Sequence, residues 1–591
     1  MRIAIVHKEK CKPNACGKVC AKVCPINKKG EKCIEILDGE KAKIDEKLCV
    51  GCGICPNRCP FGAIDIINLP SVKESDLIFR YGTNGFSLYG LPIPKEKAVL
   101  GFLGRNGIGK TTAIEILTGK LKVNLGKNIP DNDKKENQEA REKLEKKIKE
   151  KFQGTELMHY FNELKNKKIS YKPQNLFSLV SDVKVIDLLE KLGKKEKIKE
   201  LVEKIGIKNI LENKLNKISG GELQKVAILA CCLKEADIYF FDEPLAFLDI
   251  GERIRISDFI KELARGKTVI VIEHDLLILD YLTEYINIFF GQQACYGLVS
   301  GIKSTKYGIN SYLEGFLKEE NVRMRDKALN FNLIKAASLT GSLVGEWEEF
   351  EKKYTNFSFK ANKGEIRENC VIGILGKNGT GKTTFMKALA GIEPVHIEKN
   401  KKEKILDLKL KVSYKPQYIE KEDKLVSQII KEEKINKKIC STFNIENIIM
   451  KKISELSGGE LQRFSIARCL SKEADLYLLD EPSAYLDVEE RINLAKAIKE
   501  IMNEKQKTAF VIDHDLLLIS YVADNILVFQ GESGKHGISS ELLNLEKGIS
   551  LLLKELNITL IKDKESGRPK INDKDSVLDR EQKAKGEYAV F

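Results

Sequence analysis

The sequence contains no uninterrupted apolar run approaching 18 residues; the stretch around Ile270 stops at Glu273. A helix crossing a bilayer is therefore not expected. The opening Met1–Val6 is only briefly apolar before lysine and cysteine follow, so no secretory leader is expected and the cytosol is the expected compartment. Cysteine is sparse over most of the chain. Six of the 15 are scattered over the last 532 residues, while nine crowd between Cys11 and Cys59. Without a leader or an oxidising compartment, that crowding argues against a disulfide framework and for bound metal. The chain is 42% hydrophobic, ordinary for globular protein, and at 591 residues it is too long for one core, which suggests three to five domains. Its formal charge of +14 suits a polyanionic partner, or simply reflects a lysine-rich composition.

The chain is internally duplicated. Gly104-Arg-Asn106-Gly107-Ile-Gly109-Lys110-Thr111-Thr112 returns as Gly376-Lys-Asn378-Gly379-Thr-Gly381-Lys382-Thr383-Thr384. Ser219-Gly220-Gly221-Glu222 returns as Ser457-Gly458-Gly459-Glu460, Asp242-Glu243-Pro244 as Asp480-Glu481-Pro482, and Glu273-His274-Asp275 as Asp513-His514-Asp515. The order is the same in both halves, so the halves are two copies of one domain. The Ser-Gly-Gly-Glu serine comes 109 positions after the Gly-x4-Gly-Lys-Thr lysine in the first copy and 75 in the second. The surplus is placed at about 121–168, where Glu139/Lys143, Glu142/Lys146 and Glu145/Lys149 predict a solvated helix and Thr155–Tyr160 a second one, together a helical hairpin. It is either a tolerated surface insertion or a partner-binding device. Coarsely, 1–70 is a metal module, 71–310 the first copy, 311–335 a connector, 336–550 the second copy and 551–591 a tail. Each copy alternates β-rich runs with amphipathic helices, which predicts an α/β fold with a largely parallel sheet.

Cys49-x2-Cys52-x2-Cys55-x3-Cys59-Pro60 has the spacing of a ferredoxin half-motif, and Cys11-x4-Cys16-x3-Cys20-x3-Cys24-Pro25 is a looser version. Two such runs exchange their last cysteines, giving one [4Fe–4S] cluster on Cys11, Cys16, Cys20 and Cys59 and a second on Cys24, Cys49, Cys52 and Cys55. Cys33 receives no role. The alternative is a pair of four-cysteine zinc sites. Nothing in the sequence binds flavin or nicotinamide, so a structural or mechanical use of the clusters competes with electron transfer.

Each Gly-x4-Gly-Lys-Thr follows a β-rich run and precedes a helix, the context of a phosphate-binding loop. Backbone N–H groups and the helix N-terminus close on the phosphates. Lys110 and Lys382 reach the β- and γ-phosphates, and Thr111 and Thr383 ligate Mg²⁺. Asp242 and Asp480 end apolar strands and hold the same Mg²⁺, while Glu243 and Glu481 are placed as general bases for the attacking water. His274 and His514 are positioned to sense the γ-phosphate.

These motifs resemble those of ATP-binding-cassette (ABC) ATPases. The resemblance makes Gln174 and Gln417, each in Tyr-Lys-Pro-Gln, the Q-loop glutamines and further Mg²⁺ ligands. It also implies that the Ser-Gly-Gly-Glu signature of one copy completes the ATP site of the other. Lys110, Gln174, Asp242, Glu243 and His274 would meet Ser457, Gly458 and Gly459; Lys382, Gln417, Asp480, Glu481 and His514 would meet Ser219, Gly220 and Gly221. Glu222 and Glu460 close the two signatures. One departure stands out: Ser483-Ala-Tyr-Leu-Asp487 keeps the serine of the family's D-loop, whereas Leu245-Ala-Phe-Leu-Asp249 has lost it, which predicts unequal sites.

Adding the cysteine module narrows the resemblance to the ribosome-recycling ATPases of archaea and eukaryotes, ABC subfamily E, once called RNase L inhibitor. The stretch Cys49 to Pro70, Arg80-Tyr-Gly-Thr-Asn-Gly-Phe-Ser-Leu-Tyr-Gly-Leu-Pro92, the connector Glu319–Arg325 and the tail segments Gly567–Asn572 and Asp579–Lys583 are similar to that family's. The resemblance implies a monomer with two head-to-tail cassettes and a ferredoxin-like α+β iron–sulfur domain. Closure driven by ATP would move that domain and split ribosomes. The implied partners are the small subunit and its ribosomal RNA, a release factor or its surveillance paralogue, and initiation factors; no membrane is involved. Tyr81 with Phe86, and Tyr354, would stack on the adenines. Arg323, Arg325 and Arg568 would contact RNA or, on the plainer reading, brace the hinge. A rival is an ATP-dependent redox or cluster-handling protein. A transporter subunit or an F-subfamily cassette would not need the cysteine module.

Overall fold

A computed structural model describes residues 2–37, 40–68, 76–127, 129, 135–329, 341–397, 403–420 and 422–590. The expected boundaries at 70/71 and 335/336, and the last two residues of the Cys49 to Pro70 stretch, lie outside the described residues.

Val99–Gly104, Ile238–Asp242 and Thr268–Ile272 are buried at every position. Such continuous apolar strands belong in parallel sheets covered on both faces. Five parallel strands run in the order Ile169–Lys172, Ile238–Asp242, Thr268–Ile272, Val99–Gly104, Tyr285–Gln292. Tyr296–Val299 turns back antiparallel and leads to Ser87–Tyr89 and Leu77–Arg80 at the edge. The second unit repeats the order with Val412–Lys415, Leu476–Asp480, Thr508–Ile512, Val371–Gly376 and Asn525–Glu532, followed by His536–Ser539, Ser358–Ala361 and Phe350–Lys353. In each sheet the phosphate-loop strand neighbours the strand ending in Glu-His or Asp-His, and the strand ending in Asp-Glu comes next. Residues far apart in sequence therefore gather at the carboxyl ends of adjacent strands, where open α/β sheets bind ligands.

The helices Lys135–Phe152 and Glu156–Leu164 form a hairpin turned at Thr155, whose hydroxyl caps the second helix. Phe152, Leu157 and Tyr160 are buried in the core that holds Ile114 and Leu117. Tyr160 Oη donates to Leu117 O (2.7 Å). The hairpin is thus seated on Lys110–Leu117, the helix that follows the phosphate loop.

In the cysteine module Arg2–Val6 pairs antiparallel with Ile64–Asn68. The module docks on the first unit through Asn84, which is 1% exposed. Asn84 O accepts from Val6 N–H (2.8 Å), and its amide bridges Ala4 O, Ile44 N–H and Ile44 O. The Arg80 guanidinium pairs with the Glu46 carboxylate (Nη1 to Oε2 2.9 Å) beside it.

The two units meet in an apolar seam where Leu276 and Leu279 lie with Val488, Ile492 and Leu517, together with Tyr312 and Leu313 of the connecting segment. Polar braces flank it. Arg325 is ion-paired with Glu489, which also accepts from Tyr312 Oη (3.2 Å). Arg568, fully buried, lies with Nη1 2.9 Å from Asp280 Oδ2 and so ties the tail to the first unit. Arg325 therefore ties the connecting segment to the second unit and Arg568 the tail to the first, and Arg323 is exposed. Removing one member of a buried ion pair strands the other, at a cost of about 3–5 kcal/mol. Asp280→Ala should accordingly lower the thermal unfolding midpoint well below that of Lys570→Ala, whose ammonium sits 3.8 Å from the same carboxylate but is a third exposed. Equal midpoints in calorimetry would contradict the brace.

Candidate active sites

Each phosphate loop ends on a glycine that nothing else could replace. Gly109 and Gly381 have φ +96°, and a β-carbon there would lie 2.7 Å from the Phe86 ring or 2.6 Å from the Phe359 ring. Gly104 and Gly376 pack against the carbonyls of Phe289 and Phe529 in the neighbouring strands. Lys110 Nζ donates to Gly104 O and Arg105 O, and Lys382 Nζ to Gly376 O and Lys377 O, all within 2.8 Å. Burial depresses both ammonium groups to about 8, against the pull of Asp487, Glu243 and Asp242 on Lys110 and of Asp249, Glu481 and Asp480 on Lys382.

Thr111 Oγ1 donates to Asp242 Oδ2 (3.1 Å), and Thr383 hydrogen-bonds Asp480 in the same way. Burial raises both aspartates to about 6, and the adjoining glutamates add to the rise. A hydroxyl and a carboxylate in contact, with a glutamine alongside, form an all-oxygen donor set that fits Mg²⁺. Gln174 Nε2 donates to Glu243 Oε1 (2.7 Å) and Gln417 Nε2 to Glu481 Oε1 (2.8 Å). His274 Nε2 lies 3.3 Å from Glu243 Oε1, and His514 Nε2 lies 3.4 Å from Glu481 Oε1. Burial acts to raise the two glutamates, but the histidine, glutamine and lysine around each overcome it and hold both at about 2, fully ionised. Glu243 and Glu481 have φ of +46° and +45°, a left-handed backbone that costs energy outside glycine and concentrates at functional sites.

Tyr81 is exposed, its Oη 3.4 Å from Thr112 Oγ1, and it shares a cavity of about 710 Å³ with Phe86, Gly107, Gly109, Lys110, Thr111, Gln174, Asp242 and Glu243. Tyr354 is likewise exposed, donates to Glu393 Oε2 (2.6 Å) and hydrogen-bonds Thr384.

The two halves of each composite site are joined first through aspartate. Asp249 and Asp487 cap the helices Ile250–Ala264 and Val488–Lys505 with one carboxylate oxygen. The other oxygen crosses the seam. Asp487 Oδ2 accepts from Asn106 N–H (3.0 Å) and Asp249 Oδ2 from Asn378 N–H (2.8 Å). The Asn106 and Asn378 amides reach Tyr485 O and Phe247 O of the opposite unit. Gly458 lies against the Tyr485 ring and Gly220 against the Phe247 ring. A cavity of about 1250 Å³ along the seam is lined by Asn106, Gly107, Gln174, Glu243 and His274 on one side and by Ser457, Gly458, Gly459 and Glu460 on the other. Lys110, Thr111 and Asp242 open instead into the smaller cavity. Ser219 and Ser457 are the N-caps of the helices Gly220–Leu233 and Gly458–Ser471, their hydroxyls accepting from Glu222 N–H and Glu460 N–H. Glu222 and Glu460 fold back to accept from the N–H of Ser219 and Ser457, so their carboxylates cap these helices.

The two turns after Asp-Glu-Pro differ. Ser483 Oγ donates to Asp513 Oδ1 (2.8 Å), and Ser483 N–H donates to the same carboxylate. Leu245 offers only its backbone N–H, accepted by the longer Glu273 (2.9 Å), which burial pushes up to about 7.

Cys20 is close enough to Cys16, Cys59 and Cys11 to sense their charge, and Cys55 likewise senses Cys49, Cys52 and, last in order, Cys20. Cys24 lines one cavity with Cys49, Cys52 and Cys55.

Some participants were missed in the sequence. Lys172 and Lys415, each 1% exposed, donate to the carbonyls of Asp242 and Glu243 and of Asp480 and Glu481. Their signal was the shared Tyr-Lys-Pro-Gln. Phe357 is the counterpart of Phe86: Tyr354 N–H donates to Phe357 O as Tyr81 N–H does to Phe86 O, and Phe-Ser is present in both copies. Cys33 is buried within hydrogen-bonding reach of Cys24 and Cys49, and nothing in its spacing marks it.

Fold and site define a tandem ABC ATPase carrying an iron–sulfur module. The ABC transporter family model matches residues 94–246 and 354–484, a model described as a possible Fer4-like domain in RNase L inhibitor matches 1–32, and the 4Fe-4S binding domain matches 42–65. No described helix is long and apolar enough to cross a membrane. The chain is 44% identical to an uncharacterized ABC transporter ATP-binding protein of Methanocaldococcus jannaschii, over all of this chain and 97% of that one. It is 39% identical to ABC transporter E family member 1 of Arabidopsis thaliana, over 99% and 98%. A solved structure of ribosome-bound archaeal Pelota and ABCE1 contains a chain 42% identical, matched over 100% of this chain and 99% of that one with a TM-score of 0.91. The chain belongs to the E family of ABC ATPases, that of the RNase L inhibitor.

Lys110 and Lys382 are charged below pH 8 and lose their protons through about 8, and a bound phosphate restores the charge. ATP affinity should therefore fall between pH 7 and 9, with proton uptake on binding that titration calorimetry in buffers of different ionisation enthalpy will register. The unlike turns at Leu245 and Ser483 predict different residual hydrolysis rates in Glu243→Gln and Glu481→Gln; identical rates would mean that the two sites are equivalent.

Proposed function

We propose that the protein is an ATP-driven ribosome recycling factor, in which closure of the two ATPase units moves the iron–sulfur module and separates the subunits. The aspartate bonds across the seam carry this reading, because each phosphate loop engages the opposite unit through them. ATP and Mg²⁺ would sit between one unit's loop and the other's signature helix. Lys110, Thr111, Thr112, Asp242 and Gln174, with Ser457, Gly458 and Gly459, would bind the first nucleotide. Lys382, Thr383, Thr384, Asp480 and Gln417, with Ser219, Gly220 and Gly221, would bind the second. Tyr81 and Tyr354 would stack on the bases. Glu243 and Glu481 would take the proton of the attacking water, and His274 and His514 would hold them toward the γ-phosphate. Shifting a clamp from 1:99 to 99:1 closed requires ATP to favour the closed form by about 5.5 kcal/mol.

Two [4Fe–4S] clusters would be held by Cys11, Cys16, Cys20 and Cys59 and by Cys24, Cys49, Cys52 and Cys55. Bound clusters would cross-link a module too small to build a large core. The division would follow 1–70, 71–310 with its insert, 311–335, 336–550 and 551–591. The partners would be the small subunit with its RNA, a release factor or a paralogue such as Pelota, and initiation factors, with the protein a cytoplasmic monomer.

The test is subunit splitting followed in sucrose gradients with purified ribosomes, the release-factor paralogue and ATP. Glu243→Gln with Glu481→Gln should lower hydrolysis by about 10²–10⁴-fold and accumulate on small subunits. A double variant that sediments free of ribosomes at low salt would count against the function.

A further inference from the structure

Where the cysteine module touches the first ATPase unit, three side chains that no expected role uses converge. His7 follows the strand Arg2–Val6, Asp65 lies on the partner strand Ile64–Asn68, and Cys295 comes from the turn between Tyr285–Gln292 and Tyr296–Val299 of the first unit. His7 Nε2 is 2.7 Å from Asp65 Oδ2, Cys295 Sγ is 3.4 Å from the same oxygen, and Sγ and Nε2 are 3.9 Å apart. Among the described residues this is the one place where three such donors close within 4.8 Å. His7 and Cys295 are buried, whereas Asp65 is 37% exposed and leaves an open side.

We propose that His7 Nε2, Asp65 Oδ2 and Cys295 Sγ bind a zinc-like divalent cation that ties the iron–sulfur module to the first ATPase unit. Imidazole, carboxylate and thiolate together suit a borderline ion such as Zn²⁺. With zinc–nitrogen and zinc–oxygen bonds of about 2.0 Å and zinc–sulfur of about 2.3 Å, tetrahedral donors stand about 3.3 and 3.5 Å apart. The three observed separations lie within about 0.6 Å of those values, so rotamer adjustments suffice. Water on the open side completes the shell. The other ring nitrogen, His7 Nδ1, is 3.7 Å from the Glu9 carboxylate. On binding, the metal replaces the Cys295 thiol proton, which leaves to solvent. Burial and the Asp65 carboxylate otherwise hold that thiol at about 12.

The position gives the site leverage. Ala294, beside Cys295, donates its N–H to Gly107 O of the phosphate loop (2.9 Å), and Cys295 O accepts from Ser87 N–H (3.1 Å). A cation here would join the module to the very turn that leans on the loop.

Full-length protein with its clusters intact, treated with EDTA and then given one equivalent of Zn²⁺, is gel-filtered for metal analysis and zinc K-edge absorption, an edge separate from that of iron. Iron at about eight per chain checks that both clusters are in place. The expected result is about one zinc per chain, with one sulfur at about 2.3 Å and lighter atoms at about 2.0 Å. Cys295→Ser, nearly isosteric, should lose the sulfur contribution and at least about tenfold in affinity with iron unchanged, and His7→Gln should also weaken binding. No retained zinc, zinc held equally by both variants, or a shell of sulfur alone would overturn the site and leave a plain hydrogen-bonded trio. None of these outcomes depends on whether ribosomes are split.

Discussion

Two carboxylates hold this molecule in register. Asp249 and Asp487 each divide their oxygens between a helix of their own unit and a backbone N–H of the other unit's phosphate loop. An aspartate at a helix N-terminus is favoured by capping and by the dipole. Because the same group also meets Asn106 or Asn378, the stability of a local helix end is spent on setting the distance between halves. The apolar seam of Leu276, Leu279, Val488, Ile492 and Leu517 and the Arg325 and Arg568 braces then hold the units so that these bonds can form.

That constraint also sets the electrostatics. Asp487 faces Lys110 and Asp249 faces Lys382, so each buried lysine feels a negative charge from across the seam as well as from its own unit. The two turns differ at Leu245 with Glu273 against Ser483 with Asp513, a paired change in which a lost hydroxyl is matched by a longer acid.

Much of this was legible in the residues. The duplicated Gly-x4-Gly-Lys-Thr, Ser-Gly-Gly-Glu and Asp-Glu-Pro fix a P-loop α/β architecture because each motif has one physical context in which it works. The cysteine spacing likewise separates a cluster-binding module from the rest. Less legible were groups whose part depends on tertiary distance. Glu222 and Glu460 look like members of a nucleotide site, yet their side chains cap helices. Lys172 and Lys415 share the repeated Tyr-Lys-Pro-Gln, but only the sheet places them beneath the Asp-Glu peptides. Cys33 and the His7–Asp65–Cys295 group have no spacing signature, since their members come from different strands or from opposite sides of a domain contact.

Those buried lysines have a bearing on how the sites can be probed. By donating to both carbonyls around the Asp242–Glu243 and Asp480–Glu481 peptides, they set the offset between the two carboxylates in the main chain, leaving little of it to rotamer choice. An amide in place of either glutamate therefore inherits the same scaffold. The substitution removes proton affinity while the framework stays put, and a stalled enzyme made this way preserves the shape of the working one.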